Sequence, residues 1–413
     1  MGFASSWLEK SALFPQFISE EPDSDTGIIT VVPAYNEPDI TVLLDSLIKC
    51  TIPSCKVEVL IVVNAPPAAP EEHLVNNRIS VQKILNWREK NKPFFRLFCF
   101  ETTPIEGWGV GMARKSGMDE ALRRFDRNGN TEGIILSVDA DCTVDNNYFT
   151  ALESELLNKK NRSACSIYFE HEKTDSDRIH EITDYELHLR YYVMGLKYSG
   201  YPYPFHTVGS SMAVKALPYM KAGGMNRKQA GEDFYFIQKL VVYGGYFNLV
   251  KTTVHPSSRI SYRVPFGTGA TMEKLSKEQG TRFMTYNIKA FIMLKSLFDN
   301  VDILPGKSAY EIMNIYRELP DGIRTFIREE EFKLKISEIC NNTGSINSFR
   351  KRYFTWFNMF KIVRFMNHLH NGYLEKKPVA ESAKELLALT GEINIPGSTE
   401  ELLEYFRTAE KKS

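Results

Sequence analysis

The chain has 413 residues, enough for two or three domains, and 43% of them are hydrophobic, so that a substantial core can form. Lysine and arginine together number 51, as do aspartate and glutamate, and this balance argues against a nucleic-acid partner. The six cysteines form no Cys-x-x-Cys pair, no apolar run is long enough to span a membrane, and no signal segment is recognisable near the N-terminus, which together predict a cytoplasmic protein with reduced thiols.

Strands and helices alternate through the first third of the chain. After an irregular N-terminal extension over residues 1–26, an apolar run over 27–32 predicts a buried strand that breaks at Pro33. Further strands are predicted over 57–63, 94–100 and 134–138, and helices over 39–48, 71–90 and 112–125. Because strands alternate with helices, we expect an α/β fold in which a mostly parallel mixed sheet carries helices on both faces.

The pattern changes near residue 271. Before that point the sequence predicts strands over 162–170 and 207–214, helices over 177–198 and 232–242, and a long loop over 254–269. After it, only helices are predicted, over 281–298, 307–318, 323–340, 348–370, 379–390 and 399–409. We therefore divide the chain into the extension, a main α/β domain over 27–270 and a helical C-terminal region over 271–413.

Polar residues follow the predicted strands at the points where the strands end. Ligands of open parallel sheets bind outside the carboxyl ends of the strands, so these residues are candidates for one site. They are Tyr35, Asn36 and Glu37 after the first strand, Asn64 after the second, the glycine-rich turn over 107–111 after the third, and Asp139 and Asp141 after the fourth.

Asp139-Ala140-Asp141 is the strongest of these candidates. Alternate side chains of an extended strand end point the same way, so the two carboxylates can share one target. Mg²⁺ is typically held by one or two carboxylates together with phosphate oxygens, which indicates a divalent cation on a diphosphate. The alternative is an aspartate-rich turn without a ligand.

Taken together, these residues resemble the family 2 glycosyltransferases, which have the GT-A fold and use nucleotide-diphosphate sugars. The resemblance covers residues 27–270. It rests on four motifs in the family's order, which are Val32-Pro33-Ala34-Tyr35-Asn36-Glu37, Gly109-Val110-Gly111-Met112-Ala113-Arg114, Asp139-Ala140-Asp141 and Gly231-Glu232-Asp233-Phe234.

The resemblance implies roles for the motif residues. Asp233, paired with Glu232, would be the general base that deprotonates a hydroxyl acceptor, with inversion at the sugar. Asp141 would ligate Mn²⁺ or Mg²⁺, and Asp139 would lie near both the ribose and the metal. The remaining donor-site residues would be Pro33, Ala34, Tyr35, Glu37, Gly111, Arg114 and Ala140, with Lys115 as a further candidate.

The chain also departs from the family pattern. Many members carry an acidic residue after the second strand, where it contacts the nucleobase, but this chain has Asn64. A uracil base is therefore less strongly indicated, and a guanine nucleotide stays open. The Gln-x-x-Arg-Trp run of many processive members is absent, which favours single additions to a glycan, lipid-linked or small-molecule acceptor, such as those of cell-envelope polysaccharide synthesis.

Several residues outside the motifs are weaker candidates. His255 could complete the metal shell, or it could be an ordinary histidine at a strand end. Arg259 and Arg263 are expected to contact phosphate or acceptor, because a guanidinium matches oxyanions well. His206 and the aromatic segment over 201–205 could line an acceptor pocket, or they could pack on the core.

Two further hypotheses compete with the transferase assignment. A nucleotidyltransferase would carry a glycine-rich basic loop after the first strand, where this chain has Pro33-Ala34-Tyr35-Asn36-Glu37. A catalytically inactive nucleotide-sugar or glycan-binding protein would not need Asp139, Asp141 and Asp233 together.

The predicted helix over 348–370 combines basic and aromatic residues. Its apolar residues are distributed around most of the helix circumference, which favours a helix packed within the protein. The minority alternative is peripheral contact with the inner face of a membrane.

Overall fold

The computed structural model describes residues 2–103, 108–171, 179–227, 231–259 and 282–412. The chain forms two compact units. The first consists of the described residues within Met1–Ile179 and Thr207–Lys277, and the second of those within His180–His206 and Glu278–Ser413. The predicted domain boundary at 270/271 stays a prediction, because it falls outside the described residues.

An eight-stranded mixed sheet, in the order β3-β2-β1-β4-β7-β6-β8-β5, forms the centre of the first unit. Neighbours from β3 through β4 are parallel, as are β6 and β8, whereas β7 runs antiparallel to both β4 and β6 and β5 runs antiparallel to β8. The strands are β1 (Thr26–Ala34), β2 (Lys56–Val63), β3 (Arg96–Glu101), β4 (Ile134–Ser137), β5 (Thr143–Val144), β6 (Ala164–Phe169), β7 (Met212–Lys215) and β8 (Tyr246–His255).

The sequence explains this arrangement. Every residue of β1 is buried, and so is every residue of β2 except Lys56, as expected for parallel strands covered on both faces. The predicted fold class is therefore confirmed. The helices of the first unit are α1 (Ser5–Ser11), α2 (Thr41–Leu47), α3 (Glu71–Asn91), α4 (Val110–Asn128), α5 (Tyr148–Leu152), α7 (Ala216–Lys221) and α8 (Glu232–Tyr243). A π-helical turn, Glu153–Leu157, extends α5.

The N-terminal extension is more ordered than predicted. It contains α1, and it is bound to α4 by two carboxylates of that helix. Asp126 accepts hydrogen bonds from Ala4 N (2.5 Å) and Ser5 Oγ (2.6 Å), and Glu120 accepts from the backbone of residues 17 and 18 at 3.2 Å. The prediction of an irregular segment missed these bonds because the partners are more than 100 residues apart in sequence.

The second unit is helical, apart from a short antiparallel pair of β9 (Met284–Thr285) and β10 (Lys377–Pro378). Its helices are α6 (Ile179–Tyr198), α9 (Ile288–Phe298), α10 (Ala309–Glu318), α11 (Asp321–Phe326), α12 (Glu329–Asn341), α13 (Ile346–Trp356), α14 (Met359–His370), α15 (Val379–Leu389) and α16 (Thr399–Lys411). Among the described residues, no helix is both long and apolar enough to cross a membrane.

Two predicted helices of this unit are each divided in two. The helix predicted over 348–370 ends at Trp356, and Asn358 caps a new helix by accepting a hydrogen bond from Lys361 N at 3.2 Å. The helix predicted over 323–340 is divided between α11 and α12, and α12 has no side-chain cap. The aromatic positions Phe349, Tyr353 and Phe357 are buried, in agreement with the packed-helix interpretation.

Candidate active site

Three strands of the sheet end at one edge, as predicted. The last residue of β1, Ala34, pairs with Val63 of β2, and Val31 pairs with Ser137 at the end of β4. The polar residues that follow these strands are therefore brought to the same edge of the sheet.

A buried arginine joins two of the predicted motifs. The Arg114 Nη2 atom lies 2.6 Å from Asp139 Oδ1, and its Nη1 atom donates a hydrogen bond to Glu232 Oε1. The side chains of Arg114 and Glu232 are 5% and 2% exposed, so this contact is shielded from water. We call Arg114, Asp139, Glu232 and the adjacent Asp233 the Arg114 cluster.

Local backbone features place the two acids of α8. Gly231, the residue before the helix, has a φ of 69°, a left-handed conformation that favours glycine. Asp233 Oδ2 accepts a hydrogen bond from Gly209 N (3.0 Å), and its Oδ1 accepts from its neighbour's amide, Phe234 N (2.7 Å). A Cβ on Gly209 would lie 2.3 Å from Arg114 Nη1, so any other residue there would require the guanidinium to move.

Burial shapes the charges in this cluster. It raises the pKa of Asp233 and of Glu232, and the positive charge of Arg114 opposes that rise in both. Burial disfavours the charge of Arg114, but Asp139, Glu232 and Asp233 more than offset this and raise its pKa. Arg114 therefore stays protonated, while Asp233 takes up a proton more readily than an ordinary aspartate.

A second arginine contacts the other two predicted acids. The Arg259 guanidinium donates a hydrogen bond to Glu37 Oε2, and its Nη2 lies 3.3 Å from Asp141 Oδ2. The arginine side chain is 30% exposed and that of Asp141 is 25% exposed, whereas Glu37 is buried. We call these three residues the Arg259 cluster.

The carboxylates of the two clusters are suited to a divalent cation whose remaining ligands come from a substrate. Their carboxylates are Glu37, Asp139, Asp141, Glu232 and Asp233, which outnumber the two arginines. In the described part of the chain, no group of three or more histidine, cysteine, aspartate or glutamate side chains is placed to hold a metal ion alone. Mg²⁺ and similar ions bind through one or two carboxylates when phosphate oxygens supply the remaining ligands, so Asp139 and Asp141 fit such an ion.

The predicted third metal ligand has another partner. His255 Nε2 lies 3.0 Å from Asp145 Oδ1, and the two residues belong to the region where β5 pairs with β8. His255, Asp139 and Asp141 do not form a three-ligand group of the kind described above.

The side chain of Asn64 makes its hydrogen bonds within the protein. Its Oδ1 accepts from Trp108 Nε1 at 2.7 Å, and its Nδ2 donates to the carbonyl oxygens of Ala34 (3.0 Å) and Val62 (3.4 Å). The side chain is buried, and its amide group already holds neighbouring backbone and indole groups. The side chain therefore supports the two strand ends, and a role of Asn64 in the donor site stays a prediction.

Helix α3 contributes polar residues that the sequence analysis did not select. Asn77 Oδ1 accepts from Asn36 N and Asn77 Nδ2 donates to Asn64 O, both at 2.8 Å. His73 Nδ1 lies 2.8 Å from Tyr35 OH. The signal was present in the sequence, because residues 73, 77 and 80 are spaced at i, i+4 and i+7 and lie on one face, where Ile84 and Trp87 continue it as apolar positions.

The other predicted donor-site residues lie at strand ends and in helix α4. Pro33 and Ala34 are the buried last residues of β1, Ala140 is buried between the two acids, and Gly111 lies in the first turn of α4. The Nζ atom of Lys115, the further donor candidate, lies 2.8 Å from Asp119 Oδ2, and both side chains are buried.

His206 and Arg263 are the remaining residues predicted to contact acceptor or phosphate. His206 belongs to the second unit, where its Nε2 lies 3.1 Å from Glu410 Oε1. Arg263 is outside the described residues.

The site can now be set beside known proteins. Solved structures similar to this chain are glycosyltransferases. S. aureus TarS (residues 1–349, with UDP-GlcNAc) is 13% identical, covers 80% of this chain and 92% of its own, and has a TM-score of 0.41. The mannosyltransferase PcManGT of Pyrobaculum calidifontis, with GDP-Man and Mn²⁺, is 17% identical, covers 90% and 93%, and has a TM-score of 0.39.

A third such structure is glucosyl-3-phosphoglycerate synthase of Mycobacterium tuberculosis with Mg²⁺ and UDP, which is 15% identical, covers 54% of this chain and 69% of its own, and has a TM-score of 0.31. No protein-family model and no curated protein matches the sequence. At these identities and TM-scores the three structures carry no argument about activity, which is drawn from the site itself.

Proposed function

We propose that this protein is a glycosyltransferase that moves a sugar from a nucleotide-diphosphate sugar to a hydroxyl acceptor, with a divalent metal ion and with inversion. The observation that carries the proposal is the meeting of two acidic motifs through Arg114, which contacts both Asp139 and Glu232. A donor-side acid and an acceptor-side pair of acids thereby share one edge of the sheet.

Asp139 and Asp141 are the proposed metal residues, because both carboxylates are partly exposed at the end of β4. When bound, Mn²⁺ or Mg²⁺ would neutralise charge on the departing nucleoside diphosphate. Arg259 can exchange its contact with Asp141 for hydrogen bonds to phosphate oxygens, because its guanidinium matches their geometry. Its side chain is also more exposed than that of Arg114. We place His255 outside this ligand set, because it faces Asp145.

Asp233 is the proposed general base. Each of its oxygens accepts one backbone N–H, which fixes the carboxylate while leaving a second lone pair on each oxygen. Burial raises its pKa, and a higher pKa makes it a better acceptor for the proton of a hydroxyl group. Attack of that hydroxyl from the face opposite the leaving diphosphate inverts the anomeric carbon.

An experiment has to identify the nucleobase of the donor, because the Asn64 side chain is already hydrogen-bonded to Trp108 and to backbone carbonyls. Thermal unfolding of the purified chain is to be followed with UDP-, GDP- and dTDP-sugars, with and without Mn²⁺. Binding to the native state raises the unfolding temperature by mass action. We expect a rise with one nucleotide that requires the metal.

Two variants make this experiment specific. Asp141→Ala is expected to abolish the metal-dependent rise, whereas Asp145→Ala, which removes the partner of His255, is expected to retain it. No rise with any nucleotide at millimolar concentration would overturn the donor site. Saturable binding without turnover would favour a catalytically inactive nucleotide-sugar-binding protein instead.

A further inference from the structure

The inward face of α3 changes from polar to apolar along its length. Ile84 and Trp87 are buried apolar residues, while Ser80 and Asn77, one and two turns before Ile84 on the same face, are buried and polar. Burying a polar side chain costs free energy unless its hydrogen bonds are made, so these residues need partners.

Asn77 has partners on both loops of the proposed donor site. Its Oδ1 accepts from Asn36 N, in the loop after β1, and its Nδ2 donates to Asn64 O, at the end of β2; both distances are 2.8 Å. Its side chain therefore uses one acceptor and one donor to tie two strand ends together. Aspartate has the same shape but no N–H donor, and alanine has neither group.

The loop that Asn77 holds has a left-handed residue. Asn36 has a φ of 48°, a conformation that glycine adopts most readily and that asparagine adopts more often than most other residues. Helix α3 supports it at two more points. Asn76 Nδ2 donates to Asn36 Oδ1 (2.9 Å) and Glu37 O (3.2 Å), and Ser80 Oγ donates to Glu37 O (3.2 Å).

We propose that Asn77 is a positioning residue for nucleotide binding, which acts by fixing the left-handed turn at Asn36. This inference rests on the proposed function. The turn sets the directions of Tyr35 and Glu37, the two neighbours of Asn36, and Glu37 in turn contacts Arg259. Loss of the Asn77 bonds releases the turn, so that the donor site is no longer preorganised and the nucleotide must order it on binding.

The test compares Asn77→Asp and Asn77→Ala with Trp87→Phe in the full-length chain. Trp87 is the matched control, because its Nε1 also makes a hydrogen bond from α3, to Asp45 Oδ1 at 2.7 Å, on the apolar part of the same face. Titration calorimetry measures the affinity for UDP and GDP with Mn²⁺, well below each variant's unfolding temperature. Hydrogen exchange of the amides of residues 35–37 measures the loop without any nucleotide.

We expect both Asn77 variants to bind the preferred nucleotide about tenfold more weakly, as for the loss of roughly one buried hydrogen bond. Exchange at residues 35–37 should accelerate in both. Trp87→Phe should lower the unfolding temperature and keep wild-type affinity and exchange at this loop. Unchanged affinity and exchange in the Asn77 variants, or an equal loss in Trp87→Phe, would overturn the inference.

Failure of the proposed function gives a different result. If the wild-type chain binds no nucleotide, the donor site is wrong, whereas hydrogen exchange still decides whether Asn77 fixes the loop. Accelerated exchange confined to the Asn77 variants then retains the positioning role, and unchanged exchange removes it.

Discussion

The Arg114 cluster and the Arg259 cluster each combine one arginine with acidic residues, but the surroundings of the two arginines differ. In each, one guanidinium contacts carboxylates from two distant segments of the chain. The Arg114 side chain is 5% exposed, and the Arg259 side chain is 30% exposed. A buried ion pair that loses one partner leaves an uncompensated charge, whereas a partly exposed pair exchanges partners with water or ligand at little cost.

The comparison indicates a division of work within one site. The Arg114 cluster is a fixed framework that holds Asp139, Glu232 and Asp233 in position. The Arg259 cluster is the part whose contacts can be rearranged, because a phosphate can replace Asp141 as the partner of the arginine. The predictions below test this division, from the largest expected effect to the smallest.

Replacement of the base in the fixed cluster should have the largest effect. Asp233→Asn should lower sugar transfer by about 10²–10⁴-fold, because the amide cannot accept the proton of the acceptor. The affinity for the nucleotide should stay within about threefold, since this residue lies on the acceptor side of the proposed reaction. Steady-state kinetics and calorimetry measure the two effects. Asp145→Asn serves as the control and should retain transfer.

The arginines should differ in their effect on stability. Arg114→Ala should lower the free energy of unfolding by about 3–5 kcal/mol, because Glu232 loses the partner of a buried charge. Arg259→Ala should lower it by less, because the guanidinium and Asp141 are partly exposed, although the buried Glu37 also loses a partner. Denaturant unfolding monitored by circular dichroism measures both. Equal losses in the two variants would contradict the distinction between a fixed and an exchangeable cluster.

Arg259→Ala should separate metal binding from nucleotide binding. The guanidinium lies 3.3 Å from Asp141, so its removal should strengthen binding of Mn²⁺ alone. The same change should weaken UDP or GDP binding by about tenfold, because a charge-assisted bond to phosphate is lost. Calorimetric titrations with the metal and then with the nucleotide measure the two changes in affinity. If both affinities rose or both fell, the proposed exchange of partners would be contradicted.

The pH dependence of transfer should depend on the fixed cluster alone. Burial raises the pKa of Asp233, so the carboxylate needed as a base forms at a higher pH than in an ordinary aspartate, and transfer should rise with pH through that value. Arg114 holds this pKa down, so Arg114→Gln should displace the acidic limb to higher pH. Arg259→Ala should leave the limb unmoved. The pH dependence of kcat for the three proteins checks both statements.

The same titration has a consequence for stability. Between the ordinary pKa of aspartate and the raised pKa of Asp233, the folded chain keeps a proton that the unfolded chain has lost. The contribution of this group to stability therefore falls as pH rises through that interval. Asp233→Asn should remove this contribution, and unfolding free energies across the acidic range measure it.

The fold and the grouping of the candidate residues at the strand ends could be predicted from local patterns. Apolar runs that end in polar residues identified β1, β2 and β4, and the spacing of Asp139 and Asp141 identified two partly exposed carboxylates. These signals lie within a few residues of each other. They follow from the periodicity of a strand and from the chemistry at its end.

The pairing of charges could not be predicted in this way. Arg114 and Glu232 are 118 residues apart, and Arg259 and Glu37 are 222 residues apart. The family resemblance gave Arg114 a donor-site role but did not indicate its contacts with Asp139 and Glu232. Asn77 was missed for another reason, because a polar position on the buried face of a helix has no family motif to mark it.

The central claim is tested most directly by release of nucleoside diphosphate from a nucleotide sugar. The purified chain is incubated with UDP-, GDP- and dTDP-sugars, with and without Mn²⁺, beside the Asp141→Ala and Asp233→Asn variants. We predict that one class of donor is consumed, that consumption needs the metal, and that it is lost in Asp141→Ala and reduced in Asp233→Asn. Saturable binding without any consumption, or equal consumption by Asp141→Ala, would contradict a metal-dependent glycosyltransferase.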